Sequence, residues 1–268
     1  PTGGSGEGCG LADPADQRAN CGVGVVMDLD GGSDHDVVRD SLDLLESMEH
    51  RGTTGAETGT GDGAGIMLQI PHEFVVEEFF GDGGVEEGDD TDGEEEEKAT
   101  KVPEPGAYAL GTAFFPQDDA ARSDLQDFVE ARLADRDLDV LGWRAVPTGD
   151  AGLGATALES EPAIFQFVVV SADGRTGEDF DRQLYVGRRA LENAAEAAEP
   201  PGLDRFYVVS LDRKTVVYKG LLKADQVLDY FPDLRDERMR STFAMVHARF
   251  STNTLGAWHL SHPYRNIV

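Results

Sequence analysis

NCGVGVV, residues 20–26, sets a cysteine at the mouth of a short apolar run, and this thiol has one counterpart, Cys9, in 268 residues. Residues 1–20, ahead of it, are rich in Gly, Asp and Ala and poor in apolar side chains, so they cannot bury enough surface to order by themselves and read as a leader. The stretch that begins at the cysteine, CGVGVVMDLDGGSD, is a short strand ending in an Asp-Gly turn. DVVRDSLDLLESMEHRG then repeats Val38, Leu42, Leu45 and Met48 at helical spacing, with Gly52 as its stop.

The same pattern continues along the chain. AGIMLQIP reads as a buried strand closed by Pro71, and EFVVEEFF as a short helix. Between residues 81 and 106 the acidic run GDGGVEEGDDTDGEEEEKATKVPEPG lacks the periodicity of a packed element and reads as a disordered, solvated insertion within one domain. Beyond it, AYALGTAFF, VLGWRAVP, AIFQFVVV, RFYVVSL, TVVYKGLL and TFAMVHARFS read as strands. ARSDLQDFVEARLADRD and EDFDRQLYVGRRALENAAEAA read as amphipathic helices. The short polar link from Asp212 to Lys214 predicts a hairpin between RFYVVSL and TVVYKGLL. Strands with helices grouped between them predict an α+β fold with largely antiparallel sheets.

Composition narrows the function. With 52 acidic against 23 basic residues and a formal charge of −29, the surface has the wrong sign for gripping phosphate backbones, which excludes nucleic acid as a general partner. No apolar run approaches the roughly 18 residues that cross a bilayer, no secretory signal opens the chain, and two cysteines cannot staple this fold, so a cytoplasmic protein without a membrane partner is expected. Hydrophobic residues at 40% are enough for a substantial core.

Cys21 is either a small buried hydrophobe opening a strand or a nucleophile. Removal of residues 1–20 would put its thiol and a free α-amine on one residue. The amine titrates near about 7.7–8.0 and the thiol near about 8.5, close enough for one to take the other's proton around neutral pH.

CGVGVV followed by LLESMEHRGTTGAETGTGDGAGIMLQIP, then LGWRAVPT, FYVVSLDRKTVVYKGLL and VHARFSTNT, resembles in content and order the class II glutamine amidotransferase domain of the glutamate synthase large subunit, over residues 20–268. The resemblance implies the N-terminal nucleophile hydrolase fold, a four-layer α/β/β/α sandwich, with a partial amidotransferase domain over 21–268 after the leader. It implies that Cys21 attacks the side-chain amide of L-glutamine, that ammonia leaves, and that water releases glutamate from the thioester. Arg249 matches the position that holds the substrate's α-carboxylate, with Phe250 and Thr252 completing the cradle. Arg51 matches an arginine near the nucleophile, where its charge would favour the thiolate; it also suits a helix C-terminus.

Other motifs carry less. TGTGDGAG lacks the Gly-Lys-Ser/Thr ending of a phosphate loop, and its glycines are expected to allow a tight turn beside Cys21. His259 and His262 are spaced for a metal only if helical; with Pro263 next they read as surface or packing histidines, and no metal is expected. His50 and His247 fall in family motifs without a proton-transfer duty. The family continues into an Asn-Gly oxyanion segment that does not occur here, so the chain alone is expected to be a C-terminally incomplete and inactive part of the enzyme, with an unpaired sheet edge and exposed apolar surface. The FMN, the iron–sulfur cluster and the 2-oxoglutarate site belong to downstream domains or subunits, which are the expected partners. The alternative is a non-catalytic fragment serving regulation or assembly.

The charge itself makes a prediction. A surface this acidic repels itself in dilute salt and suits high ionic strength, as in a halophilic archaeon. The denaturation midpoint is expected to rise between millimolar and molar KCl; equal stability in the two would contradict the reading.

Overall fold

A computed structural model describes residues 21–49, 57, 59–81, 103–251 and 256–265. The leader, Cys9, Arg51, Thr252 and residues 82–102 of the acidic insertion lie outside these.

Among the described residues eight strands form two sheets. β1 (Gly22–Met27), β2 (Ala64–Gln69), β7 (Thr215–Gly220) and β8 (Phe243–Ala248) make one, in the order β1-β8-β2-β7. β3 (Tyr108–Phe115), β4 (Leu138–Ala145), β5 (Ala163–Ser171) and β6 (Tyr207–Asp212) make the other, in the order β4-β5-β3-β6. Neighbouring strands in both sheets run antiparallel. α1 (His35–Ser47) covers the first sheet, while α3 (Asp119–Ala134) and α5 (Gly177–Ala198) cover the second, giving helix, sheet, sheet and helix layers. α2 (His72–Phe80), α4 (Ala155–Glu159) and α6 (Val227–Tyr230) fill the ends. The layered α+β sandwich expected from the sequence is the architecture observed.

Strand β3 shows why the layers form. All of its side chains are buried, but alternate ones go to different cores. Ala109, Ala113 and Phe115 meet Leu125, Val129 and Leu133 of α3 and Phe180 and Leu184 of α5. Tyr108, Leu110 and Phe114 point the other way, into the core shared with the first sheet. Each fully buried large apolar side chain stabilises by about 1.5–3 kcal/mol, so the period-2 alternation decides which layer a strand can occupy. Side-chain caps fix the starts of α1 and α3: Asp34 accepts from Asp36 N at 3.0 Å and Asp118 from Ala121 N at 2.9 Å.

One sequence expectation fails. RFYVVSL and TVVYKGLL are not a hairpin: β6 pairs with β3 and β7 with β2, so the link crosses from one sheet to the other. Asp212 shapes the crossing by accepting from Lys214 N and Thr215 N at 2.6 and 3.0 Å. Most residues of both strands are buried, so neither has the solvent-facing alternation that marks a hairpin on an open sheet.

A polar network crosses the sandwich. Arg144 of β4 makes a two-pronged pair with Asp233 at 2.7 and 2.8 Å and donates to Gln166 Oε1 of β5 at 3.2 Å. Tyr218 of β7 accepts from Gln166 at 3.0 Å and donates to Asp233 at 3.1 Å, so each sheet is tied to the other through groups that satisfy one another. At the opposite edge β1 pairs with β8 and turns Val23, Val25 and Met27, each about half exposed, outwards.

Asp233→Ala removes the two-pronged partner of the Arg144 guanidinium and leaves it Glu78 at 3.1 Å, and is expected to cost about 1–3 kcal/mol. Denaturant unfolding measures this, and a loss below about 1 kcal/mol would show that the network contributes little.

Candidate active site

The site lies where β1 begins and β8 ends. The register Gly22↔Ala248 and Val23↔His247, continued one step, sets Cys21 opposite Arg249. Cys21 is exposed, and its sulfur accepts from Phe250 N–H at 3.4 Å. The same sulfur lies 3.8 Å from Phe250 O, so both backbone groups of Phe250 meet it. Phe250, expected to line a substrate cradle, therefore touches the thiol itself.

Arg249 is nearly buried. Its backbone N–H donates to Gly63 O at 2.8 Å and its guanidinium to Asp62 O at 3.1 Å. Asp62 also accepts from Ser251 N at 2.7 Å through its carboxylate, clamping the chain just after Arg249. Sequence reasoning missed Asp62; its signal was an acidic residue between two glycines just ahead of a buried strand.

Across the first sheet the pairings Val23↔His247, His247↔Gly65 and Gly65↔Lys219 define one row, so His247 and Lys219 share a face with bare Gly65 between them. The segment 257–263 runs over this gap. Gly63, at φ 122°, has Ser261 so close above it that an added Cβ would stand 2.6 Å from Ser261 Oγ and 2.9 Å from its Cα. The glycines of GDGAG thus serve a close approach of backbone more than the tight turn expected of them.

Lys219 fastens the segment. Its ammonium, almost wholly buried, donates to His259 O at 3.0 Å and Ser261 O at 2.7 Å and lies 4.9 and 5.1 Å from the ring centres of Tyr207 and Tyr264. Burial, aided by the charges of Arg265 and Arg249, pushes its pKa down to about 7. The carbonyls and rings favour the charged form. A lysine inside the apolar run TVVYKGLL was the unread signal.

This arrangement brings His262 against His247, with its Nδ1 3.0 Å from Nε2 and 3.3 Å from Nδ1 of His247. Burial first, then neighbouring positive charge, pushes both imidazoles down to about 4, so both are neutral at physiological pH. His259 is apart from them, packed on Tyr207 with ring centres 5.8 Å apart. Of the residues expected in the site, Cys21, Arg249 and Phe250 converge; Arg51 and Thr252 are outside the described residues.

The family model for glutamine amidotransferases class-II matches residues 21–268. The chain belongs to the class-II glutamine amidotransferases. It is 37% identical over 260 residues to the glutamate synthase [NADPH] large chain of Bacillus subtilis, covering 97% of this chain and 16% of that protein. Against the glutamate synthase [NADH] of Schizosaccharomyces pombe the identity is 39% over 264 residues, covering 95% and 11%. Against the ferredoxin-dependent glutamate synthase 2 of Synechocystis it is 34% over 250 residues, covering 93% and 15%. The chain therefore spans only 11–16% of the length of these relatives. Among the described residues no helix is long and apolar enough to cross a membrane.

Gly63→Ala in this amidotransferase domain forces a methyl group into Ser261. It is expected to cost about 1–3 kcal/mol and to speed amide hydrogen exchange through residues 257–262. Unchanged stability and exchange would show that the segment does not rest on Gly63.

Proposed function

We propose that this domain hydrolyses L-glutamine through Cys21 and supplies the ammonia to a glutamate synthase that forms glutamate from 2-oxoglutarate in the cytoplasm. Cleavage after Asn20 gives Cys21 a free α-amine, which takes the thiol proton. The thiolate adds to the side-chain carbonyl carbon, the C–N bond breaks, and ammonia leaves with a proton returned by the ammonium. Water then hydrolyses the thioester, releasing glutamate and restoring the thiol. Arg249 holds the α-carboxylate with a planar two-pronged donor, Phe250 and Thr252 line the substrate, and the Arg51 charge favours the thiolate. FMN and the iron–sulfur cluster reside in other parts of the enzyme; two cysteines cannot supply the four thiolates that such clusters usually take.

The observation that supports this reading is the exposed Cys21 sulfur, met by the Phe250 N–H at 3.4 Å on the strand end that carries Arg249. A nucleophile must be reachable, and the exposure of this thiol meets that condition.

The test is glutamine hydrolysis by the full-length protein. Cys21→Ala is expected to lower kcat on the order of 10⁴-fold or more. Arg249→Lys is expected to raise KM for glutamine roughly 10- to 100-fold with a smaller effect on kcat. Mass spectrometry is expected to find the mature chain beginning at Cys21. Full activity of Cys21→Ala would remove the nucleophile, and an intact leader in an inactive protein would favour a regulatory or assembly role.

A further inference from the structure

Three groups able to bind metal meet at the site: Cys21, His247 and His262 each offer an atom, and these atoms all lie within 4.8 Å of one another. The topology requires this meeting. Cys21 opens β1, His247 sits on β8 beside Val23, and His262 arrives on the segment that Lys219 and Gly63 hold over the sheet.

We propose that Cys21, His247 and His262 form a reversible binding site for a thiophilic divalent cation of the zinc class, which masks the nucleophile. The masking rests on the reading of Cys21 as nucleophile, whereas the binding does not. Zinc holds sulfur at about 2.3 Å and nitrogen at about 2.0–2.1 Å in a tetrahedron, which sets neighbouring ligand atoms about 3.3–3.6 Å apart. The imidazole nitrogens approach to 3.0 Å with the rings at 82° to each other, so completing three corners takes a turn of one ring to aim both lone pairs at the ion and a closing of the sulfur by at most about 1 Å. One thiolate with two imidazoles selects zinc or cobalt over magnesium and calcium, which prefer oxygen. Binding transfers the thiol proton to solvent and forms a metal–sulfur bond in its place. The fourth corner is open to water. In a chain beginning at Cys21 it would be open to the α-amine, which closes a five-membered ring with its own sulfur. The positive charges of Arg249 and Lys219, both felt at His262, oppose the cation and keep its binding reversible.

The competing account is packing alone, since His262 also lies against Tyr264 with ring centres 4.1 Å apart. The acidic surface would meanwhile collect divalent cations without any such site. Titration of the chelator-treated full-length protein with Co²⁺ separates the three. The expected result is a thiolate-to-cobalt charge-transfer band that saturates at one equivalent, is displaced by Zn²⁺ and is absent in Cys21→Ser. His262→Ala is expected to weaken binding by at least the roughly 10- to 100-fold that loss of an outer-shell partner costs. His247→Gln gives the same readout from the other strand. Zn²⁺ is expected to inhibit hydrolysis by the wild-type protein until chelator is added. Absence of the band, or equal binding and equal Zn²⁺ inhibition in wild-type and His262→Ala, would overturn the site. The band reports ligands and not turnover, so failure of the glutaminase reading and failure of the metal site appear in different measurements.

Discussion

The contact on which the site depends is the passage of residues 257–263 across the bare end of β2, pinned by the buried Lys219 ammonium on the carbonyls of His259 and Ser261. A side chain at position 63 would lift the segment away. A hydrophobic residue at 219 would leave two carbonyls without their donor, the more costly kind of loss because desolvation is not recovered. With the segment in place, β1, β8 and residues 257–263 meet at one edge, and Cys21, Arg249 and the two histidines become neighbours although they are distant in sequence.

Burial of so polar a device requires a rigid frame. The Arg144, Asp233, Tyr218 and Gln166 network supplies part of it, since it links strands of both sheets through groups with little other access to partners. Its members are unremarkable in sequence; LGWRAVPT shows an arginine in a strand and nothing of the aspartate some ninety residues later. The apolar cores to either side are non-directional and would tolerate some sliding of sheet on sheet. The Gln166–Tyr218 hydrogen bond opposes that sliding, and the bidentate Arg144–Asp233 pair braces it.

The layers were legible because periodicity reports burial directly. Val38, Leu42 and Leu45 sit on the face of α1 that packs on the first sheet, and the strand runs recur as strands within three residues at their ends. The crossing between β6 and β7 was not legible: a short polar link between two buried strands is compatible with pairing and with a change of sheet, and only the partners β3 and β2 decide. Cys21, Arg249 and Phe250 were found through the resemblance of their motifs, not through local chemistry. Asp62, Lys219 and the His247–His262 contact escaped because each acquires its meaning from a residue on another element.

Covalent trapping with an electrophilic glutamine analogue, followed by peptide mapping of the full-length protein, tests Cys21 as the nucleophile most directly. One adduct is expected, on the Cys21 sulfur, its formation suppressed by L-glutamine in competition. An adduct on another residue, or labelling of Cys21 that glutamine does not slow, would contradict it.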